Sequence, residues 1–60
     1  MTEAKWRQEV RGFTEALVAM KDRAGRLGLW RTMHALDEAT RVTGYEQADI
    51  ITGTHALTRQ

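Results

Sequence analysis

Residues 6–27 read WRQEVRGFTEALVAMKDRAGRL, and this stretch decides the fold. Its apolar side chains recur at alternating steps of four and three residues over three heptads: Trp6, Val10, Phe13, Leu17, Met20, Ala24 and Leu27. A period of 3.5 residues is typical of an α-helix that packs against another helix along its whole length. Because one helix cannot bury such a seam alone, we expect a second helix or another copy of the chain to cover it. We therefore interpret these seven residues as an oligomer interface.

Signals at both ends of this stretch set the limits of a first helix. Thr2 is a good N-cap, and Glu3 places an acid in the first turn, where the helix dipole favours it. At the other end a basic last turn is followed by Gly28, a pattern typical of a helix end. The sequence therefore predicts a helix from Ala4 to about Leu27 and a turn near Gly28.

The second half of the chain predicts a second helix and a weaker third element. Leu29 to Val42 should be helical, with Thr43 and Gly44 closing the helix and Gly44 in a left-handed conformation. From Tyr45 to about Leu57 the apolar residues are interrupted by Gly53, which predicts either a short third helix or a frayed tail. The fold class is all-α: residues 1–60 form a single domain, a helical hairpin or small bundle completed by self-association.

Size and charge also favour association. A domain of 60 residues buries only roughly 60% of the surface of its unfolded chain, and small folds usually need a further constraint. The chain has no cysteine for a disulfide, so oligomerisation, most simply a homodimer, is the constraint that remains. Net charge is +3 in residues 1–31 and −2 in residues 32–60, which favours an antiparallel arrangement within the chain or between copies.

The residues that usually carry catalysis are scarce. Serine and cysteine are absent, and no glycine-rich phosphate loop occurs, so we expect no enzymatic activity and no cofactor. His34 and Glu38 are spaced to share one helix face, but a metal site needs three or four ligands. We interpret them as a local pair and expect no metal. With no apolar run of about 18 residues and no signal-peptide pattern, we expect a cytoplasmic protein without a membrane span.

An aromatic residue among basic residues marks a candidate partner-binding surface. Trp30 is surrounded in sequence by Arg23, Arg26 and Arg31, and Tyr45 adds a second aromatic group. Aromatic and arginine side chains supply much of the binding energy at protein interfaces. The leading interpretation is therefore a small non-enzymatic helical interaction protein, a regulator, inhibitor or adaptor that binds a larger protein.

A nucleic-acid-binding regulator is the alternative. Residues 39–57 resemble a helix-turn-helix, with Gly44 as the turn glycine and Ile50 as a core residue of the recognition helix, although this segment is acidic. The pentapeptide Glu46–Ile50, followed by His55, is similar to the start of the second helix of Rop. Rop is a helical hairpin that dimerises into a four-helix bundle and binds paired RNA loops. That resemblance implies a hairpin RNA binder, and it assigns no binding residues here.

Overall fold

The computed structural model describes residues 2–52, which form two α-helices joined by a short turn. Helix α1 spans Glu3–Arg26 and helix α2 spans Trp30–Thr52. Together they make a helical hairpin, and the described residues contain no strand. The all-α class and the hairpin are confirmed.

The start of α1 follows the sequence signals. The side-chain oxygen of Thr2 accepts a hydrogen bond from the backbone N–H of Lys5 at 3.1 Å, so Thr2 is the N-cap. Its carbonyl oxygen accepts from the N–H of Trp6 at 2.9 Å. Glu3 also pairs with Arg7, one turn later, at 2.8 Å. These contacts satisfy donors that a helix start otherwise leaves without partners.

The end of α1 is a Schellman motif centred on Gly28. Leu27 is the C-cap, and Gly28 follows it with a φ of 75°, a left-handed conformation that favours glycine. The N–H of Gly28 donates to the carbonyl of Gly25 at 3.1 Å, and the N–H of Leu29 donates to the carbonyl of Ala24 at 2.9 Å. The predicted turn near Gly28 is confirmed, with α1 ending one residue earlier than expected.

The predicted end of the second helix at Gly44 is wrong. Helix α2 continues through Gly44 to Thr52, and Gly28 is the only described residue with a positive φ. A glycine inside a helix costs about 1 kcal/mol relative to alanine, and contacts further along can offset this cost. Gln47 and Ile50 supply such contacts, because they line a groove with Trp6 and Val10 of α1.

No separate third element is present within residues 2–52. Tyr45 to Thr52, the first part of that predicted element, forms the last two turns of α2. The rest of it, residues 53–57, lies outside the described residues.

The contact between the helices is narrow. The α1 side chains that face α2 are mostly half-buried and follow steps of 4-3-4-3: Val10, Thr14, Leu17, Lys21 and Ala24. The half-buried residues of α2 include a row with the same steps: Leu36, Thr40, Thr43, Gln47 and Ile50. Among the described residues only Leu17 and Ala24 are buried, at 6% and 5% exposure. The hairpin alone therefore has a very small core.

The continuity of α2 through Gly44 can be tested by substituting alanine at Gly44 and, for comparison, at Gly28. A side chain at Gly44 would meet no atom within 4 Å, so Gly44→Ala should stabilise the protein by about 0.5–1 kcal/mol. Gly28→Ala should instead destabilise it by about 1–2 kcal/mol, because alanine is strained at a φ of 75°. Urea unfolding followed by circular dichroism measures both. Destabilisation by Gly44→Ala would mean that α2 ends at Gly44.

Candidate interaction surface

The seven-residue seam of the sequence is divided by the structure. Four of its members are buried or half-buried in the hairpin: Trp6, Val10, Leu17 and Ala24. The other three are exposed, Phe13 at 57%, Met20 at 48% and Leu27 at 66%. The division arises because α1 is rotated so that Thr14 and Lys21, rather than Phe13 and Met20, flank the buried row. The apolar stripe of α1 is thus wider than the surface that α2 covers.

The exposed members lie on one side of the hairpin. Phe13, Met20 and Leu27 are seven residues apart, so they form one row along α1. The opposite side of the hairpin is marked by Lys21, which pairs with Asp37 of α2.

Helix α2 extends this apolar surface. Ala35 and Val42 lie roughly opposite to Asp37 around α2, and so on the same side of the hairpin as Phe13. Ala39, four residues after Ala35, lies between them and the buried row. We call the combined surface the Phe13 face: Phe13, Met20, Leu27, Ala35, Ala39 and Val42.

A network of charged side chains holds the other side together. Lys21 Nζ donates to Asp37 Oδ1 at 2.9 Å and so links the two helices. Arg41 pairs with Asp37 and with Glu38, each at 2.6 Å. The hydrogen bond and charge of Lys21, with a further contribution from Arg41, lower the pKa of Asp37 below its ordinary value of 3.8. Asp37 is therefore ionised at neutral pH and joins both helices.

The helices also approach each other closely near the turn. A Cβ added to Gly25 would lie 3.2 Å from Met33 Sδ, which is tighter than an ordinary contact. The absence of a side chain at Gly25 therefore lets Met33 of α2 pack against the α1 backbone. This contact lies on the same side of the hairpin as the Lys21–Asp37 pair.

Four of the five predicted partner-binding residues are brought together at the turn. Arg23 and Arg26 are in the last turn of α1, and Trp30 and Arg31 begin α2. Trp30 is 61% exposed, and all three arginines are exposed. We call this cluster the turn end. Arg26 also pairs with Asp22.

Tyr45 lies away from the turn end. It is 67% exposed and follows Trp30 by fifteen residues on α2, a separation of about 22 Å along the helix axis. The structure therefore places the two predicted aromatic contacts on different parts of the surface.

A shallow groove lies at the end of the hairpin opposite to the turn, which we call the open end. It has a volume of about 140 Å³ and is lined by Trp6, Val10, Thr43, Glu46, Gln47 and Ile50. Ligand pockets usually enclose about 300–1,000 Å³. The groove is therefore smaller than a typical small-molecule site.

Residues considered for metal or proton chemistry are engaged elsewhere or exposed. His34 is exposed, and Glu38 pairs with Arg41. Within residues 2–52 no three His, Cys, Asp or Glu side chains are close enough together to hold a metal ion. His55 lies outside the described residues.

The two helices also bear on the predictions about a membrane span and a helix-turn-helix. Neither α1 nor α2, within the described part of the chain, combines the length and apolar character needed to cross a bilayer. The turn that a helix-turn-helix requires is missing at Gly44, because α2 is continuous there.

Comparison of the chain with protein-family models, curated proteins and solved structures finds no match.

The Lys21–Asp37 pair and the Gly25–Met33 contact were not predicted from the sequence. The opposite charges of the two halves indicated an antiparallel pairing, but they did not select partners sixteen residues apart. A Lys on the border of an apolar stripe, opposite an Asp on the next helix, is the signal that could have identified the ion pair.

The ion pair predicts a specific dependence of stability on pH. Because the pKa of Asp37 is lowered in the folded chain, its contribution is present above pH 3.8 and is lost as the pH falls through the lowered value. Asp37→Asn should therefore lower the melting temperature at pH 7, and its difference from the wild type should close below pH 3.8. Circular dichroism melts over this range measure it.

Glu38→Gln is the matched control for this prediction. It removes the same charge, but Glu38 pairs only with Arg41 on its own helix, so its effect at pH 7 should be the smaller one. An equal or larger effect of Glu38→Gln would show that the interhelical pair is not the important contact.

Proposed function

We propose that this protein is a small, non-enzymatic interaction protein, a helical hairpin that self-associates and binds a larger protein as a regulator, inhibitor or adaptor. One observation carries the proposal. Within residues 2–52 the interior of the hairpin holds two buried residues, Leu17 and Ala24, while most of the large apolar side chains are exposed. Within residues 2–52 the exposed large apolar residues are Phe13, Val18, Met20, Leu27, Leu29, Trp30, Val42, Tyr45 and Ile51.

The energetics of burial explain why this distribution favours association. A large apolar side chain gains about 1.5–3 kcal/mol on full burial, so a side chain that is half exposed realises only part of that gain. Contiguous exposed apolar surface on a small protein is typical of a binding site. Covering the Phe13 face would therefore add to a core that the hairpin alone leaves small, and self-association is one way to cover it.

The turn end supplies the surface for a larger partner. Trp30 is exposed at the same end of the hairpin as three arginines, and tryptophan and arginine are the residue types most enriched among the dominant contacts of protein interfaces. Arg23 and Arg31 form no ion pair within residues 2–52, so their donors are available to carboxylates of a partner. An acidic surface with an apolar pocket for the indole ring fits this arrangement.

Two further features agree with the proposal. The groove at the open end is shallow and small, which favours surface recognition over the binding of a small substrate. The chain has no cysteine, which is compatible with the cytoplasm as its location.

The hairpin keeps one form of the nucleic-acid alternative open. Arginines at the turn end could contact the phosphates of paired RNA loops, whereas the helix-turn-helix form lacks its turn. We favour a protein partner because acidic side chains are interleaved with the basic ones: Asp22 pairs with Arg26 at the turn end, and Asp37 and Glu38 pair with Arg41.

The function is tested by affinity capture from a host lysate, with and without nuclease. Trp30→Ala should abolish capture of the partner and leave the helix content unchanged, because Trp30 is exposed and makes no contribution to the buried core. Val18→Ala is the matched control: Val18 is 50% exposed on α1, and its loss should leave capture intact.

Nucleic-acid binding is measured in parallel by filter binding. Binding to random duplex DNA or RNA should be no tighter than about 10 µM at physiological salt, weaker than typical specific regulators. Sub-micromolar binding that is lost on Arg26→Ala or Arg31→Ala, together with capture that disappears after nuclease treatment, would replace the protein partner with a nucleic acid.

A further inference from the structure

We infer that the Phe13 face binds a second copy of this chain in an antiparallel, two-fold arrangement, with α1 packed on α1 and α2 packed on α2. The inference rests on the proposed function, and it adds which surface the second copy covers and in which orientation. Three independent sets of residues support it: the apolar row of α1, the small residues of α2 and the charges at the rim.

Two contacts show which residues of the two helices lie at the same level along the hairpin. Lys21 bonds to Asp37, and Gly25 lies against Met33. In both contacts the two residue numbers add to 58. Since both helices rise 1.5 Å per residue, this relation gives the α1 level of every residue of α2. Residue 38 of α2, for example, lies level with Met20.

The apolar row on α1 is spaced evenly about Met20. Phe13 and Leu27 lie seven residues on either side of Met20, a distance of about 10 Å along the axis in each direction. A two-fold axis perpendicular to the helices at Met20 therefore places Met20 against Met20 and Phe13 against Leu27 of the other copy. All three side chains are about half exposed in the single hairpin, so the contact would cover every member of the row.

The same axis crosses α2 at residue 38. Ala35 and Val42 are centred on 38.5, so Val42 of one copy lies beside Ala35 of the other. A large residue opposite a small one allows the two α2 helices to approach and interdigitate. One axis thus pairs the apolar residues of both helices.

The charges at the rim of the Phe13 face favour a second copy over an unrelated partner. Arg31 borders the Phe13 face at the turn end and Glu46 borders it at the open end, and both are exposed. Neither forms an ion pair within residues 2–52. Their residue numbers are also centred on 38.5, so the same axis brings Arg31 of each copy level with Glu46 of the other. The face is therefore complementary to itself in charge as well as in shape.

This arrangement leaves the larger-partner surface accessible. Trp30 lies seven residues before Asp37, on the side of α2 away from the Phe13 face, and Arg26 lies on the outer side of α1. Self-association would therefore leave Trp30 and Arg26 accessible to the larger protein. Arg31 belongs to the rim of the self-contact in this arrangement.

Cysteine cross-linking tests the orientation, since the natural chain has no cysteine. A disulfide requires Cα atoms no more than about 7 Å apart. Met20→Cys should therefore form a covalent dimer under mild oxidation, seen on a non-reducing gel. Leu27→Cys alone should not, because the two sites are about 21 Å apart along the axis, whereas a mixture of Phe13→Cys and Leu27→Cys should cross-link.

Exchanging the charges of Arg31 and Glu46 provides a second test of the orientation. The quantity measured is the dissociation constant of the dimer, determined by sedimentation at low salt. Arg31→Glu and Glu46→Arg should each weaken the dimer by about tenfold, and the double variant should restore wild-type affinity. Arg31→Glu places an acid near the start of α2, which favours the helix, so weakening cannot come from loss of helix. Arg11→Glu, an equal charge change on the side of Val18, should have no effect.

The outcomes separate this inference from the proposed function. A dimeric wild type with a failed Met20→Cys cross-link, or without rescue in the double variant, would overturn the orientation and leave self-association standing. A wild type that remains a 6.8 kDa monomer at high concentration would overturn both the orientation and the self-association.

Discussion

The contact between α1 and α2 is made largely by small and polar side chains, and the rest of the structure depends on this. Alanine and glycine at the turn end of α1 and threonines along α2 let the helices pack, but they contribute little apolar surface. The hydroxyl groups of Thr40 and Thr43 donate to carbonyl oxygens one turn earlier on α2, and within residues 2–52 no buried side-chain polar atom lacks a hydrogen-bond partner. The two helices can therefore pair, although within residues 2–52 only Leu17 and Ala24 are buried.

A wide apolar stripe on α1 connects this weak interior to association. The stripe has a central row, Val10, Leu17 and Ala24, and a second row that includes Phe13, Met20 and Leu27. Helix α2 covers the central row, and in this rotation of α1 Lys21 pairs with Asp37 while the second row is left exposed. The same rotation that stabilises the hairpin through an ion pair therefore exposes the surface on which we propose that it associates.

The sequence predicted the parts of the fold that depend on local signals. The 3.5-residue period gave α1, and Thr2 and Gly28 gave its two ends, because capping and a left-handed glycine act over a few residues. The end of α2 was not predictable in this way. Gly44 has the composition of a helix end, yet contacts from Gln47 and Ile50 across the hairpin outweigh its low helix propensity.

The candidate surface was predictable only in part for a related reason. The 3.5-residue period correctly predicted the apolar side of α1. It did not predict which of the two apolar rows on that side would pack against α2. In the observed rotation Lys21 borders the packed row and bonds to Asp37, a contact between positions sixteen residues apart that the 3.5-residue period does not encode. Trp30 and the arginines are close in sequence on either side of the turn, so their placement at one end of the hairpin could be predicted. The separation of Tyr45 from Trp30, about 22 Å along the helix axis, could not be predicted, because it depends on the unexpected length of α2.

We propose that the hairpin alone forms only part of an apolar core and that association with another chain completes this core. The dependence of the melting temperature on protein concentration, followed by circular dichroism over a hundredfold range, tests this proposal. Because only folded chains associate, a higher protein concentration stabilises the folded state, and the melting temperature should rise with concentration. A melting temperature that stays constant over that range, with a cooperative transition, would show that the two helices fold without a partner and would contradict the account.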